Sequence, residues 1–357
     1  MQIAADRLRQ LAATILAAAG SAVNEAQKVA VRLVDANLTG HDSHGVIRVP
    51  QYVGQVQDGT IVPNQQAEVV RETDAVTVLD GHFGYGQIVG EQAVQAAIDK
   101  ARRHGIAMSA LRSSAHLGRL GDWAEMAAAA GLASLHFVNA TGIPLRVVPH
   151  GGRDGRGTTN PIVMGIPVAG SGPVILDFAT SAIAEGKVRV ARNKGALIPP
   201  DCLLDADGRP TTDPGKLYTD PPGNLVPFGG TTGGHKGGAL WLMVDLLAGA
   251  FTGGGGSRPP EGEARFSSSM LSIVIAPEAY ADAGAVGAEI CRHVDFVKSA
   301  RPRAPDGEVL LPGEPERRVR AERLAGGIAI DPTTWDHIMT SGEQVGLDRA
   351  DLEGIAG

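Results

Sequence analysis

Apolar residues recur at helical spacing through the first 60 positions of the chain. One apolar stripe ends at Gly20 and a second ends near Gly40. A third helix is predicted to begin at Ser43, a good N-cap residue, although Pro50 requires either a bend or a late start of its regular part. The apolar positions that carry these predictions are Leu8, Leu11, Ile15, Val29, Leu33, Val34, Val46, Val49, Val53 and Val56.

From about residue 70 the pattern changes to short apolar runs separated by glycine-rich turns. Close-set short strands favour an antiparallel or mixed sheet over a run of βαβ units, so the predicted fold class is α/β with α+β character. The predicted strands lie at 75–79, 106–111, 132–138, 174–176 and 271–275. Helices are predicted at 92–104 and 121–130, and along the stripe Leu240, Met243, Val244, Leu247 and Phe251.

The composition excludes several classes of protein but says little about the fold. The chain of 357 residues has a net charge of −7 and scattered Lys and Arg, which argues against a nucleic-acid partner. Cys202 and Cys291 form no CxxC motif, so neither a disulfide framework nor a cysteine zinc site is predicted. The chain has no secretory signal and no uninterrupted apolar run of about 18 residues, so we expect a cytoplasmic protein with no membrane partner.

Glycine is the unusual residue, with 48 copies. The triad Gly84, Gly86 and Gly90 follows a strand, as a dinucleotide-binding fingerprint does. No acidic residue ends a following strand near position 110, so use of these glycines in turns and packing is favoured and no Rossmann fold is predicted.

Two further glycine runs have different interpretations. The run 229–238 contains Lys236 and leads into a helix, where converging N–H groups and one cation could hold a phosphate. A flexible surface loop with a solvated lysine is an equally good alternative. The run 253–256 lies in the segment 253–263, which is the best candidate for a mobile loop.

Histidines carry the candidate chemistry near position 44. His44 and Arg48 lie one helical turn apart, which could place a proton-transfer group beside a clamp for a carboxylate. The alternative is a helix capped by Ser43 and followed by solvated side chains. A metal site at His41 and His44 lacks an identifiable third ligand, so no metal is predicted.

Three other polar motifs adjoin predicted strands. His116 follows a buried strand, a common position for functional groups, although a hydrogen-bonded structural histidine is the alternative. The motif 158–161, Thr-Thr-Asn-Pro, precedes a strand. Asp177 ends another strand, where a carboxylate can accept hydrogen bonds from ribose hydroxyls or form an ordinary Asx-turn.

Taken together and in this order, the motifs resemble the malate/L-lactate dehydrogenase family. This non-Rossmann family includes ureidoglycolate and sulfolactate dehydrogenases and some cyclic imine reductases. The resemblance runs from about residue 5 to residue 350. Two departures are Ala115, where family members often carry Asn, and Thr158, where Gly is common. The matching blocks are 40–48, 116–118, 158–161, 177–181, 236–240 and 311–316.

The resemblance implies an oxidoreductase that uses NAD or NADP to transfer a hydride to or from a small 2-hydroxy or 2-oxo acid. It also implies a homodimer with sites near the subunit interface. The implied organisation is a helical segment at 1–70, a substrate and dimerisation domain at 71–135 and 300–357, and a non-Rossmann NAD(P)-binding domain with a mainly antiparallel mixed sheet at 136–299.

The resemblance also implies roles for individual residues. His116 would be the acid/base and Arg48 would bind the substrate carboxylate, while Ser43 and His44 would line the reacting centre. Lys236 would contact the cofactor phosphates, and 312–314 would close over the cofactor. The residues assigned to the cofactor are Ala140, Thr141, Thr159, Asn160, Asp177, Ala179, Thr180, Ser181, Lys236, Pro312, Gly313 and Glu314.

Several alternatives remain open. Within the family, the substrate could be a cyclic imine carboxylate such as a piperideine or pyrroline carboxylate. From other classes, a metal-dependent hydrolase could use His41, His44 and His116, and a non-catalytic nucleotide-binding protein is a third possibility. The choice between NAD and NADP is also open, because a 2′-phosphate needs a nearby cation. The candidates for that cation are Arg119, Arg189, Arg192 and Lys194.

Overall fold

The computed structural model describes residues 1–259, 262 and 264–357, with Asn193 described by its backbone alone. The helices of this part of the chain are α1 Ala5–Ala18, α2 Val23–Leu38, α3 Val49–Gln57, α4 Gly86–His104, α5 Gly121–Ala129, α6 Glu185–Asn193, α7 Gly230–Asp245, α8 Ala283–Lys298, α9 Glu314–Gly326, α10 Pro332–Gln344 and α11 Arg349–Ala356. The strands are β1 Gln2–Ile3, β2 Glu68–Glu72, β3 Val76–Asp80, β4 Ile106–Ser114, β5 Ala133–Thr141, β6 Ile162–Ile166, β7 Val174–Phe178, β8 Leu203–Leu204, β9 Pro210–Thr211, β10 Asn224–Leu225, β11 Ser267–Ile275 and β12 Ile328–Ala329. None of the described helices is long and apolar enough to cross a bilayer.

The first hydrophobic core joins the two ends of the described chain. The predicted apolar stripes of α1 and α2 are buried in it, and Ile338, Met339 and Leu352 from α10 and α11 pack among them. Residues from 300–357 thus pack with the N-terminal helices, in a cluster that also contains Tyr85, Ile88 and Ala115 from 71–135. The predicted domain boundary at residue 135 also lies inside β5, so the division into domains stays a prediction.

The start of the third helix is a correction. Ser43 does not cap it: Ser43 lies in a 3₁₀ turn, Asp42–His44, which a second turn, Val46–Arg48, follows. The regular helix α3 begins only at Val49, with Pro50 in its first turn, where the missing N–H costs nothing. The segment between α2 and α3 is therefore a pair of tight turns.

A seven-stranded mixed sheet forms the second layer. Its strand order is β2-β3-β4-β11-β5-β6-β7. Among these described strands the β3–β4 pair is parallel and the other neighbours are antiparallel, which agrees with the predicted close-set short strands. Helices α4 and α5 pack on this sheet around the buried Trp123 and Leu111. The mixed α/β class is confirmed.

The glycine-rich run 229–238 forms a helix instead of the predicted loop. Helix α7 begins at Gly230, and Gly237 is buried on it. A Cβ at Gly237 would lie 2.0 Å from the Phe228 carbonyl oxygen, so this position requires glycine. Trp241 and Val244 lie on the same buried face, whereas the predicted stripe residue Met243 is exposed. The hydrophobic pattern was misleading here because glycines form much of the buried face.

The predicted mobile loop 253–263 is described only in part. Residues 260, 261 and 263 lie outside the described residues. Ser257 is buried, and its backbone N–H and hydroxyl donate to the Asp245 carboxylate at 2.9 and 2.6 Å. The described start of this segment is therefore held against the end of α7.

The glycine triad serves packing, as predicted. Helix α4 begins at Gly86, six residues earlier than the sequence pattern indicated. A Cβ at Gly86 would lie 2.3 Å from the His116 carbonyl oxygen, and one at Gly90 would lie 2.9 Å from the Trp123 ring. Gly86 thus allows α4 to pack directly against the backbone of His116, and Gly90 leaves room for the Trp123 ring.

Replacing Gly86 by alanine tests this packing. We expect Gly86→Ala to lower the free energy of unfolding by about 1–3 kcal/mol, because backbone at His116 must shift to admit the methyl group. Gly54→Ala in α3 is the control, since a Cβ there meets nothing within 4 Å. That variant should gain about 0.5–1 kcal/mol from better helix propensity. Denaturant titration measures both, and equal stabilities for the two variants would contradict the packing argument.

Candidate active site

His116 is held by a chain of hydrogen-bonding groups. The Tyr52 hydroxyl oxygen lies 2.8 Å from Nδ1 of His116, and Nε2 of Gln87 donates to the same oxygen at 2.8 Å. The His44 ring stacks on the His116 ring, with centroids 5.4 Å apart. Nε2 of His116 has no hydrogen-bond partner among the described residues, so it is the ring nitrogen available to a ligand.

The paired turns after α2 present the other site residues. Asn37 fixes the turns, because its Oδ1 accepts from the Val46 N–H at 2.9 Å and its Nδ2 donates to Asp42 at 2.7 Å. Ser43 Oγ lies 3.0 Å from Nδ1 of His44. Nε of Arg48 donates to the Ser43 carbonyl oxygen at 2.7 Å.

Arg48 keeps part of its guanidinium free. Besides the Ser43 bond, its Nη1 donates to Oε1 of Gln51 at 2.7 Å, and its Nη2 has no partner in the described part of the chain. The two protein bonds fix the plane of the group. A planar guanidinium held in this way suits a carboxylate, which it can bind through two parallel hydrogen bonds.

Burial controls the protonation of this cluster. Burial, and then the Arg48 charge, lower the pKa of His44 to about 3 and hold the pKa of His116 well below its usual range. Burial raises the pKa of Tyr52 to about 12. Both imidazoles and the phenol are therefore neutral at physiological pH, beside a cationic Arg48.

Asp177 lies near the end of β7, beside the start of α5. Its Oδ2 accepts from the Gly121 N–H at 2.8 Å, at the start of α5. Burial raises the pKa of the Asp177 carboxyl, and the neighbouring Glu316 raises it further, while His41 and Arg119 lower it. Oε2 of Glu316 is buried and has no hydrogen-bond partner among the described residues.

Several other residues assigned to the cofactor are engaged within the protein. The Asn160 side chain is fully buried and bonds to Asp245 and the Trp241 carbonyl, so its amide anchors α7. Thr180 donates to the carbonyl oxygens of residues 159 and 160, and Ser181 donates to Ile183. These side chains therefore stabilise the backbone around the site. Four other residues assigned to the cofactor are half-buried: Ala140, Thr141, Thr159 and Ala179.

The remaining predicted contacts lie at the edges. Lys236 is exposed on the second turn of α7, not at a loop preceding the helix. The Pro312 carbonyl accepts from the Ile175 N–H at 3.1 Å, which adds the 311–313 segment to the edge of β7. Glu314 accepts from Lys298 at 2.7 Å and from the Leu311 N–H at 2.9 Å.

Two residues of the site were not predicted from the sequence. Tyr52 and Gln87 both reach His116, directly and through Tyr52 respectively. The spacing of His44, Arg48 and Tyr52 at i, i+4 and i+8 was the available signal for Tyr52. Gln87 gave none, because it stands inside the glycine triad and contacts Tyr52 only in the folded chain.

Arg119 and His41 do not lie where their alternative roles would require them. Arg119 is 4% exposed and paired with Asp122 at 2.8 Å and with Glu125, so it is not a free cation for a 2′-phosphate. His41 lies 3.6 Å from the Glu316 carboxylate. The described residues contain no group of three His, Cys, Asp or Glu side chains placed to hold a metal ion.

The site thus brings a buried histidine and a fixed guanidinium together on a mixed α/β fold. The sequence profile of malate/L-lactate dehydrogenase matches residues 3–339, and the chain belongs to that family. Hydroxycarboxylate dehydrogenase B of Escherichia coli K12 is 41% identical over 337 residues, which cover 94% of this chain and 91% of that protein.

Solved structures agree with this assignment. A putative malate/lactate dehydrogenase from E. coli superimposes with a TM-score of 0.93 at 39% identity, over 99% of this chain and 98% of that one. A Δ1-piperideine-2-carboxylate reductase from Pseudomonas syringae pv. tomato gives a TM-score of 0.82 at 33% identity, over 96% of this chain and 99% of that one. An oxidoreductase is therefore supported.

The protonation of the two site histidines can be measured directly. In histidine side-chain NMR spectra, His44 and His116 should stay neutral from about pH 8 to pH 5, because burial and Arg48 depress both pKa values. Spectra of His44→Asn and His116→Asn provide the assignments. A His116 signal that titrates between about pH 6 and pH 7 would mean that the ring is not buried beside Arg48 as described.

Proposed function

We propose that the protein is an NAD(P)-dependent oxidoreductase that transfers a hydride between nicotinamide and the C2 carbon of a small 2-hydroxy or 2-oxo acid. The observation that carries the proposal is the presence of His116 and Arg48 in one site. His116 supplies a neutral imidazole whose Nε2 is free to bind a ligand, and Arg48 supplies a guanidinium that is fixed in its plane and partly free. A homodimer, a non-Rossmann cofactor domain and a cytoplasmic location belong to the same proposal.

The residues beside β7 fit a dinucleotide. Asp177 uses one carboxylate oxygen on Gly121, which leaves Oδ1 as an acceptor, and the buried Oε2 of Glu316 is an acceptor without a donor among the described residues. Ribose hydroxyls are suitable donors for such groups. Gly313 has φ of +92°, and a Cβ there would lie 3.3 Å from the Pro173 carbonyl oxygen, so the 311–313 segment can lie close to β7.

Arg48 positions the substrate. Its guanidinium would bind the substrate carboxylate by paired hydrogen bonds, which fixes the orientation of C2 relative to His116. Bound nicotinamide supplies the hydride acceptor in oxidation and the hydride donor in reduction. The protein therefore contributes orientation, charge and proton transfer.

His116 moves the proton. In oxidation its neutral Nε2 takes the hydroxyl proton of the substrate while Nδ1–H donates to the Tyr52 oxygen. Tyr52 can accept from both His116 and Gln87, since a phenol oxygen has two lone pairs. In reduction the same Nε2 returns the proton. A carboxylate on Arg48 offsets the cation that lowers the His116 pKa, which favours the protonated ring when substrate is bound.

Reduction of a cyclic imine carboxylate is the second candidate. The likeness to the Pseudomonas piperideine-2-carboxylate reductase favours it. Arg48 would hold the carboxylate in the same way, and the proton from His116 would go to nitrogen instead of oxygen. Consumption of NADH and NADPH with 2-oxo acids and with cyclic imines, assayed side by side, separates the two reactions.

Removal of the imidazole tests its role. His116→Ala should lower kcat by about 10²–10⁴-fold, the usual contribution of a general acid/base, while the affinity for NADH or NADPH changes by no more than a few fold. Stopped-flow turnover and fluorescence titration of the reduced cofactor measure the two quantities. Full activity of this variant would remove His116 from the mechanism.

Arg48→Lys tests the carboxylate clamp. An ammonium cannot reproduce the planar pair of hydrogen bonds, so we expect KM for the acid to rise about tenfold or more. Steady-state kinetics with a 2-oxo acid at saturating cofactor give this value. Kinetics equal to those of the unmodified protein would show that the carboxylate binds elsewhere.

A further inference from the structure

One face of helix α9 lies beside the segment that follows α2. Glu316, Val319 and Arg323 are three and four positions apart, so they share this face. The Glu316 carboxylate lies 3.6 Å from Nε2 of His41, and a Cβ at Gly40 would lie 3.4 Å from Cγ1 of Val319. The helix therefore runs along the chain just before the paired turns of the site.

Arg323 makes a two-pronged contact with the first of these turns. Its Nη1 donates to Oδ1 of Asp42 at 2.6 Å, and its Nη2 donates to Oδ2 of the same carboxylate at 3.0 Å. Nη1 also donates to the carbonyl oxygen of Asn37, near the end of α2. Two parallel charge-assisted hydrogen bonds fix the direction of a carboxylate as well as its position.

Asp42 and Asn37 pass this constraint to both turns. Nδ2 of Asn37 donates to Oδ1 of Asp42 at 2.7 Å, and Oδ1 of Asn37 accepts from the Val46 N–H at 2.9 Å. A Cβ at Gly45 would lie 2.2 Å from Oδ1 of Asn37, so the backbone between the turns approaches the amide closely. The start of each turn is thus tied, through two side chains, to Arg323.

The other end of α9 is fixed to the central sheet. The Pro312 carbonyl oxygen accepts from the Ile175 N–H at 3.1 Å, and Nη1 of Arg317 donates to the Pro173 carbonyl oxygen at 2.7 Å. Both acceptor and donor backbones belong to the edge of the sheet at β7 or to the segment before α9. Helix α9 therefore connects the strand that carries Asp177 with the paired turns.

We propose that Arg323 is a positioning residue for substrate binding, which acts through Asp42 to hold the paired turns where Arg48 presents its guanidinium to the substrate carboxylate. Nε of Arg48 donates to the Ser43 carbonyl oxygen in the first turn, so a displaced turn displaces the guanidinium. His116 lies outside these turns and keeps its place. The effect on substrate rests on the proposed function, whereas the effect on Arg48 does not.

The position of Arg48 can be followed by NMR of arginine Nε–H groups. The Arg48 group donates at 2.7 Å, so it should give a signal that is protected from exchange and is absent from Arg48→Lys. We expect Arg323→Gln to broaden this signal or move it towards those of exposed arginines. Arg323→Lys should have a smaller effect, because an ammonium keeps the ion pair but not the fork. Arg318→Gln is the matched control, since Arg318 lies on the same helix and pairs with Glu308.

Steady-state kinetics with pyruvate or oxaloacetate measure the consequence for substrate. Arg323→Gln should raise KM about tenfold, the value of one charge-assisted hydrogen bond, while kcat and the affinity for reduced cofactor change by less than about threefold. Asp42→Asn should act in the same way. The double variant should exceed the worse single variant by no more than about twofold, because the two residues act as one pair. Arg318→Gln should behave as the unmodified protein.

The contrary outcomes are distinct. Lower thermal stability of Arg323→Gln with KM and the Arg48 signal unchanged would overturn the proposal, because the ion pair would then only stabilise the fold. A fall in kcat at unchanged KM, or additive losses in the double variant, would also overturn it. A changed Arg48 signal in a protein that reduces no 2-oxo acid would support the positioning role and contradict the proposed function. Thermal unfolding shows that each variant folds, and Arg323→Lys provides the test if Arg323→Gln does not.

Discussion

The hydrogen bond between Tyr52 and His116 joins the helical core to the end of a strand of the central sheet. Tyr52 belongs to the helical core, while His116 follows a strand of the central sheet. The candidate site forms where these parts meet. Gly86 is the second requirement, because a side chain there would displace the backbone of His116. Gln87, the next residue, completes the contact by donating to Tyr52.

This meeting point explains the electrostatics of the site. Both imidazoles are buried, and Arg48 brings a positive charge into the same space. The free protein therefore holds a neutral base beside a cation. In the proposed function a substrate carboxylate changes the balance, because it neutralises Arg48 close to the imidazole that carries the proton. Under the proposed function, binding and proton transfer are therefore coupled through that single charge.

Helices with ordinary apolar stripes could be predicted from the sequence. The stripes of α1 and α2 are buried as the spacing indicated, and the His44 ring stacks on the His116 ring. Helix α7 could not be predicted correctly, because its buried face relies on glycines such as Gly237, which carry no hydrophobic signal. Gln87 and the internal bonds of Asn160 were also beyond reach, since they depend on contacts between segments far apart in the chain.

Hydride transfer itself can be followed with an isotope. A 2-hydroxy acid deuterated at C2 should deliver its deuterium to the nicotinamide ring of the reduced cofactor, which mass spectrometry or NMR of that cofactor detects. The rate of oxidation with saturating cofactor should fall when C–H bond breaking limits turnover. Appearance of the deuterium in solvent, with none on the nicotinamide, would contradict a reaction in which His116 moves only the proton and C2 transfers a hydride.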